Sequence, residues 1–321
     1  MIGFGTACVG RAVFVVMAWA VGCASPDAAG SVDGGTRALL DGGSCVRGEM
    51  AVSDVRYREL DGVDATLTSL DLYLPARDDC TLAPLVVWVH GGGWQVGDKR
   101  NGIEPKRALF VGEGYGFASV NYRLSTADAS PPVQHPDHVQ DVATAVAYLL
   151  ERAPEHGLDP SRVVLLGHSA GGHLVALLGT DPRYLAAEGR TTSELDGVGS
   201  YDGAGYDIPR EMAEGPNPLY LAAFGDDPEV WRDASPQHHA ADVVGSRPHF
   251  QLARRGTPER RDVNDDFAAA LVAAGSVVDV IDASSLDHEG VQRSLGMPGD
   301  EVMTPAVLDF VARCFARGPA L

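Results

Sequence analysis

Several signals are missing from this chain of 321 residues, and each absence removes a class of function. No run of Lys or Arg marks a phosphate-binding surface. With 25 basic against 44 acidic residues, the net charge of −19 argues against nucleic acid and against an anionic substrate drawn in from a distance. Only five cysteines occur, none in a C-x-x-C or Cys/His arrangement with zinc spacing, so no metal site is expected. There is no internal repeat. The one glycine-rich loop lacks G-x-G-x-x-G spacing and has no phosphate-binding lysine behind it, which leaves a nucleotide cofactor without support. Nor is any apolar run long enough to span a bilayer as a mature helix.

What is present begins with export. Arg11 precedes a mostly apolar segment, residues 12–21, of the length of a signal-peptide core. Ala20-Val21-Gly22-Cys23 then matches a bacterial lipobox, with Cys23 as the lipidated first mature residue. Residues 1–22 are thus read as a signal peptide of lipoprotein type and 23–44 as a flexible Gly/Ser/Asp/Ala-rich tether. Membrane contact is expected only through that lipid. Residues 45–321 are expected to hold the folded domain, which is long enough for one large core. Cys45 lies just before the first expected strand and Cys80 just after the second. Antiparallel pairing would bring the two together, so a Cys45–Cys80 disulfide is expected in an oxidising compartment. Cys314 sits in an apolar stretch and reads as a buried small hydrophobe.

Strands are expected at 52–59, 68–74, 85–89, 116–122, 163–166, 195–200, 249–253 and 277–281. The first two form a hairpin and the continuous apolar runs are buried on both faces. Helical periods fall at 107–113, 137–151, 172–178, 266–274 and 305–315. This alternation predicts an α/β domain with a mostly parallel sheet and helices on both faces.

Two loops carry the chemistry. Gly167-His168-Ser169-Ala170-Gly171 spells G-x-S-x-G between a buried strand and a helix. Such a tight turn needs small neighbours and lifts one hydroxyl clear of the sheet. His90-Gly91-Gly92-Gly93-Trp94 follows another buried strand. Nucleophilic attack by a serine on a carbonyl needs two backbone N–H groups aimed at the developing oxyanion. Ala170 supplies one, and Gly91 or Gly92 the other.

These pieces, with Asn121-Tyr122-Arg123-Leu124, Asp141 and Asp233-Ala234-Ser235-Pro236, resemble the α/β-hydrolase superfamily, in its carboxylesterase, feruloyl-esterase-like and arylformamidase-like branch. The resemblance covers roughly residues 52–315. It implies the α/β-hydrolase fold, with an eight-stranded sheet and a small cap at about 201–233, and hydrolysis through an acyl-enzyme without cofactor or metal. The chain order of this fold is nucleophile, acid, histidine. His288, in the loop after strand 277–281, is the expected base for Ser169. The loop after strand 249–253 is expected to deliver the acid. Counting from Gly256 gives Glu259, with Asp262 as runner-up and Asp265 behind it. Trp94 is expected to line the pocket mouth and His168 to be a pocket wall. Arg123 and Asp141 are expected to tie a loop to the helix before the elbow.

The expected substrate is a small-molecule or polysaccharide-linked carboxylic ester with a short or aromatic acyl group. An arylformamidase or a polysaccharide deacetylase could use the same residues. A non-catalytic binding protein on a hydrolase scaffold is the reading from another class. The expected location is the bacterial cell envelope or the outside of the cell.

Overall fold

The computed structural model describes residues 47–126 and 129–316. Eight strands form one sheet: β1 (Met50–Arg56), β2 (Ser69–Leu74), β3 (Ala83–Val89), β4 (Gly116–Val120), β5 (Leu158–His168), β6 (Gly197–Tyr201), β7 (His249–Arg254) and β8 (Val278–Asp282). Their spatial order is β1-β2-β4-β3-β5-β6-β7-β8. β2 runs antiparallel to both β1 and β4, and every later pairing is parallel. The fold is thus an α/β-hydrolase fold, with a mostly parallel eight-stranded sheet flanked by helices.

Among the described residues, ten α-helices accompany the sheet: α1 (Glu104–Gly112), α2 (Asp137–Arg152), α3 (Ala170–Thr180), α4 (Pro182–Ala187), α5 (Ile208–Ala213), α6 (Pro218–Phe224), α7 (Pro228–Asp233), α8 (Pro258–Ala273), α9 (His288–Ser294) and α10 (Met303–Ala316). The strand pleat divides the core in two. Leu85, Val87 and Val89 of β3, with Val163 and Leu165 of β5, face α2, α3 and α8. The alternate residues Val86, Trp88, Val164 and Leu166 face α1, α9 and α10. Central strands are apolar at successive positions because both faces are covered.

Two differences from the sequence expectation bear on the site. The helix expected from residue 266 begins at Pro258, because Thr257 is its N-cap and accepts from Arg260 N. Pro at the first helical position costs no hydrogen bond there. In the cap stretch after residue 201, prolines stand at the starts of three short helices. Asp207, Asn217 and Asp227 cap α5, α6 and α7, each accepting a backbone N–H.

Residues 1–46 lie outside the described residues, and with them the signal segment, the tether, Cys23 and Cys45. Cys80 is disulfide-bonded. Arg47 and Arg77 extend the β1–β2 pairing by an antiparallel bridge toward that end. Cys314 is buried on the core side of α10, as its apolar surroundings suggested. Among the described residues no helix is long and apolar enough to cross a membrane.

Candidate active site

Parallel neighbours leave the same edge of a sheet, and here that edge gathers the site. Val89 pairs with Gly167, and His168 with Tyr201. The residues that follow these strands, His90-Gly91, Ser169 and Asp202, therefore emerge side by side. Ser169 holds φ 54° and ψ −120°, a strained conformation for a side chain with a Cβ. The small neighbours make it possible. A Cβ on Gly167 would lie 2.3 Å from Gly171 O, and one on Gly171 would lie 2.2 Å from Val89 O.

His288 is the first residue of α9 rather than a loop residue, and Asp287 caps that helix by accepting from Gly290 N. Its Nε2 lies 3.0 Å from Ser169 Oγ. Its Nδ1 lies 2.5 Å from Asp202 Oδ2. The carboxylate can only accept, so Nδ1 carries the proton and Nε2 offers its lone pair to the Ser169 hydroxyl. That tautomer is the one a general base needs.

The carboxylate on His288 is therefore Asp202, and neither Glu259 nor Asp262. Both of those side chains are exposed on the first turns of α8, and Asp265 is ion-paired with Arg254. Thr257-Pro258-Glu259 serves as a helix start, so the loop that was to carry an acid is consumed by α8. Asp202 instead directly follows β6, next to the elbow strand, and its own N–H donates to Ala253 O at 2.8 Å. The side chain is fully buried. Burial alone would raise its pKa, but the hydrogen bond from His288 and the Arg260 charge outweigh that, so it lies below the ordinary aspartate value. Arg255 Nε reaches Oδ2 at 2.5 Å and Arg260 Nη2 reaches Oδ1 at 2.8 Å. His168, Asp202 and His288 also stand close enough for their donor atoms to surround a cation. Two guanidiniums already on the carboxylate oppose that use.

The glycine loop is fixed from behind. His90 Nδ1 donates to Gly91 O at 2.7 Å, and His90 stacks on Tyr122 with ring centroids 4.5 Å apart. Because a trans peptide points its C=O and N–H oppositely, this turns the Gly92 N–H away from His90. Gly91 lies against the nucleophile, since a Cβ there would be 3.0 Å from Ser169 Cβ. Gly92 has φ +117°, and a Cβ on it would lie 1.8 Å from Val96 O. Among the described residues, the N–H groups of Gly91, Gly92 and Ala170 have no hydrogen-bond acceptor, as donors waiting for an oxyanion would be. Exposed Val96 and Leu219 form an apolar rim beside this loop.

Two expected pocket residues are buried in packing contacts instead. Trp94 is buried, with its ring 4.9 Å from Phe224 and 5.3 Å from His173, so it packs the cap helices against the elbow helix rather than lining a mouth. His168 is buried too. Its Nε2 donates to the carbonyl of His288 at 2.9 Å, which holds the base in place. Burial, then the neighbouring His288, pull the His168 pKa down to about 4, so it remains neutral. His173 similarly donates to Ala234 O at 2.7 Å, which explains how Asp233-Ala234-Ser235-Pro236 anchors the cap. Arg123 and buried Asp141 form the expected pair, with Nε to Oδ2 at 2.7 Å.

A family model described as BD-FAE matches residues 70–196, the stretch from β2 to the turn before β6. That stretch holds both the glycine loop and the elbow, and the match agrees with the α/β-hydrolase fold described above. It is 32% identical over 195 residues to a kynurenine formamidase-like hydrolase, fscH, of Fusarium equiseti, covering 52% of this chain and 63% of that protein. It is 28% identical over 228 residues to the carboxylesterase NlhH of Mycobacterium tuberculosis, covering 67% of this chain and 69% of that one. The chain thus spans less than two thirds of the fungal relative's length. Among solved structures, esterase B from Lactobacillus rhamnosis superposes with a TM-score of 0.67 at 21% identity, over 84% of this chain and 87% of that one, a likeness of fold.

Proposed function

We propose that this chain is a serine esterase that cleaves carboxylic esters through an acyl-enzyme. The observation that carries the reading is the continuous line from Ser169 Oγ through His288 to buried Asp202, beside unengaged N–H groups of Gly91, Gly92 and Ala170. Ser169 attacks the ester carbonyl while His288 Nε2 takes its proton. The N–H groups of Ala170 and Gly92, with Gly91 adjacent, hold the oxyanion. As the tetrahedral intermediate collapses, the C–O bond to the alcohol breaks and His288 returns the proton to the leaving oxygen. Water then gives a proton to His288 and attacks the acyl carbonyl. Collapse breaks the bond to Ser169 Oγ, His288 returns the proton to that oxygen, and the carboxylic acid leaves. Asp202 orients His288 and offsets its transient charge. The continuous line from Ser169 through His288 to Asp202 speaks against the non-catalytic scaffold.

The apolar rim of Val96 and Leu219 favours short or aromatic acyl groups. A second reading, formamide hydrolysis, draws on the printed name of the fungal relative and uses the same groups with an amine as leaving group. The test compares aryl acetates, feruloyl esters, acetylated xylan and N-formyl aromatic amines with wild-type protein and S169A. Ser169-dependent turnover of the esters supports the proposal. Turnover confined to the formamide moves it to the second reading, and ester turnover unchanged by S169A sinks it. For location, we propose export with a lipid on Cys23. Mass spectrometry of the mature N-terminus would find acylated Cys23, and an intact Met1 would refute export.

A further inference from the structure

The loop between β7 and α8 was expected to bring a carboxylate to His288, and it brings two cations to the carboxylate of Asp202, just after β6. Arg255 follows β7 directly, and Arg260 lies in the first turn of α8. Gly256, at φ +88°, turns the chain between them, and a Cβ there would lie 3.0 Å from Arg260 Cδ. Both side chains point at one fully buried group. Arg255 Nε meets Oδ2 of Asp202 at 2.5 Å, the same oxygen that accepts from His288. Arg260 meets Oδ1 with Nε at 2.9 Å, and its Nη2 also reaches Asp202 O at 3.2 Å.

Resting on the esterase reading, we propose that Arg255 and Arg260 are positioning residues that clamp Asp202 and set the pH range over which the Ser169–His288 pair works. A carboxylate just after a strand has a free χ1 and χ2 unless its oxygens are held. Here donors from three directions fix it, so the Nδ1–H···Oδ2 bond keeps one geometry. The charge count follows from the same contacts. One carboxylate faces two guanidiniums, so proton uptake by His288 adds a third positive charge to the cluster. Removing one guanidinium leaves more of the carboxylate's charge for the imidazole, which stabilises its protonated form.

The other groups around the imidazole are accounted for. His168, at the end of β5, has its ring centroid 4.6 Å away and is neutral, with a pKa near 4. Glu289 and Asp287 are exposed beside His288 at the start of α9, and Asp287 is paired with Arg293. On the far side of Arg260, Glu211 of α5 is raised by burial, and the Tyr220 hydroxyl of α6 donates to it at 2.5 Å. The Glu211 charge favours the Arg260 guanidinium from the cap side. Among the described residues, the ion pairs of Asp202 are those with Arg255, Arg260 and His288.

The experiment uses R255Q, R260Q and R260K in the full chain. Its first readout is the pH profile of kcat/KM for p-nitrophenyl acetate. Its second, independent of turnover, is the downfield proton resonance of the His288 Nδ1–H···Asp202 bond followed against pH. In R255Q and R260Q both the acid limb and the change in that resonance move up by roughly one pH unit. R260K keeps the charge and returns both toward wild type. Equal loss of activity at every pH, with the resonance titrating as in wild type, overturns the proposal and leaves the arginines merely structural. If R260Q does not fold, R255Q decides by the same criterion. Absence of Ser169-dependent turnover in wild type would fell the esterase reading, while the resonance still decides for or against the clamp.

Discussion

Replacing Asp202 with asparagine is the sharpest perturbation available, because it keeps the shape and removes the charge. In the folded protein that charge is fully buried and meets His288 Nδ1 at 2.5 Å, Arg255 Nε at 2.5 Å and Arg260 Nη2 at 2.8 Å. An asparagine oxygen can still accept from one of these. Its amide NH2 must then face a guanidinium or the imidazole, donor against donor. The imidazole loses the partner that fixes its tautomer and offsets its charge, and kcat for an aryl acetate is expected to fall by roughly 10³- to 10⁴-fold. By the same fold-change, the transition state loses about 4–5 kcal/mol. Taking the anion from a buried pair while both cations stay is also expected to cost about 3–5 kcal/mol of stability, read by urea unfolding. Glu259 and Asp262 are exposed on α8. E259Q and D262N are therefore expected to stay within about a factor of two of wild-type kcat/KM. The reasoning fails if D202N keeps more than a tenth of wild-type activity while E259Q or D262N loses most of it.

Three further outcomes are expected. G92A puts a Cβ 1.8 Å from Val96 O at a φ of +117°, so the loop must move. Its kcat should drop by about 10²- to 10³-fold with a smaller change in KM, and an unchanged kcat would remove Gly92 from the oxyanion site. His138 and His173 are both held by burial at a pKa of about 3, so they are neutral when folded and protonate once unfolded below about pH 6.5. Unfolding takes up protons in that window, so stability should fall by about 1 kcal/mol per pH unit for each histidine from pH 6.5 toward 3. Urea midpoints independent of pH between 7 and 5 would contradict this. Non-reducing peptide mapping should find Cys80 joined to Cys45, and Cys80 joined to any other cysteine would refute the pairing.

Much of the site was legible where backbone geometry dictates residue type. Gly167, Gly171, Gly91 and Gly92 occupy places where a Cβ meets backbone within about 3 Å, so the turn and the oxyanion loop are written locally. The strands were legible for a similar reason. Apolar runs such as 85–89 and 163–166 can only be buried on both faces. Their ends drifted, because β5 extends from Leu158 to His168 through residues of mixed polarity.

The acid was missed because its signal is tertiary. Asp202 follows Tyr201 into Gly203-Ala204-Gly205, which reads as the start of an irregular cap. Only strand register shows that β6 lies beside β5 and ends level with Ser169. Two clues were nonetheless in the sequence. Thr257-Pro258-Glu259 is a helix start, which disqualifies Glu259 as a loop acid. Arg254-Arg255-Gly256 places cations where an acid was sought. The roles of His168 and His90, each held on a backbone carbonyl, depend on contacts that no local pattern encodes.

The central claim is that Ser169 is an activated nucleophile, and covalent labelling tests it most directly. Wild-type protein treated with a fluorophosphonate at neutral pH and mapped by peptide mass spectrometry should carry one adduct, on Ser169. The labelling should be lost in S169A and strongly slowed in H288A and D202N. A folded wild-type protein that takes up no label, or takes it up at another residue, would contradict the account.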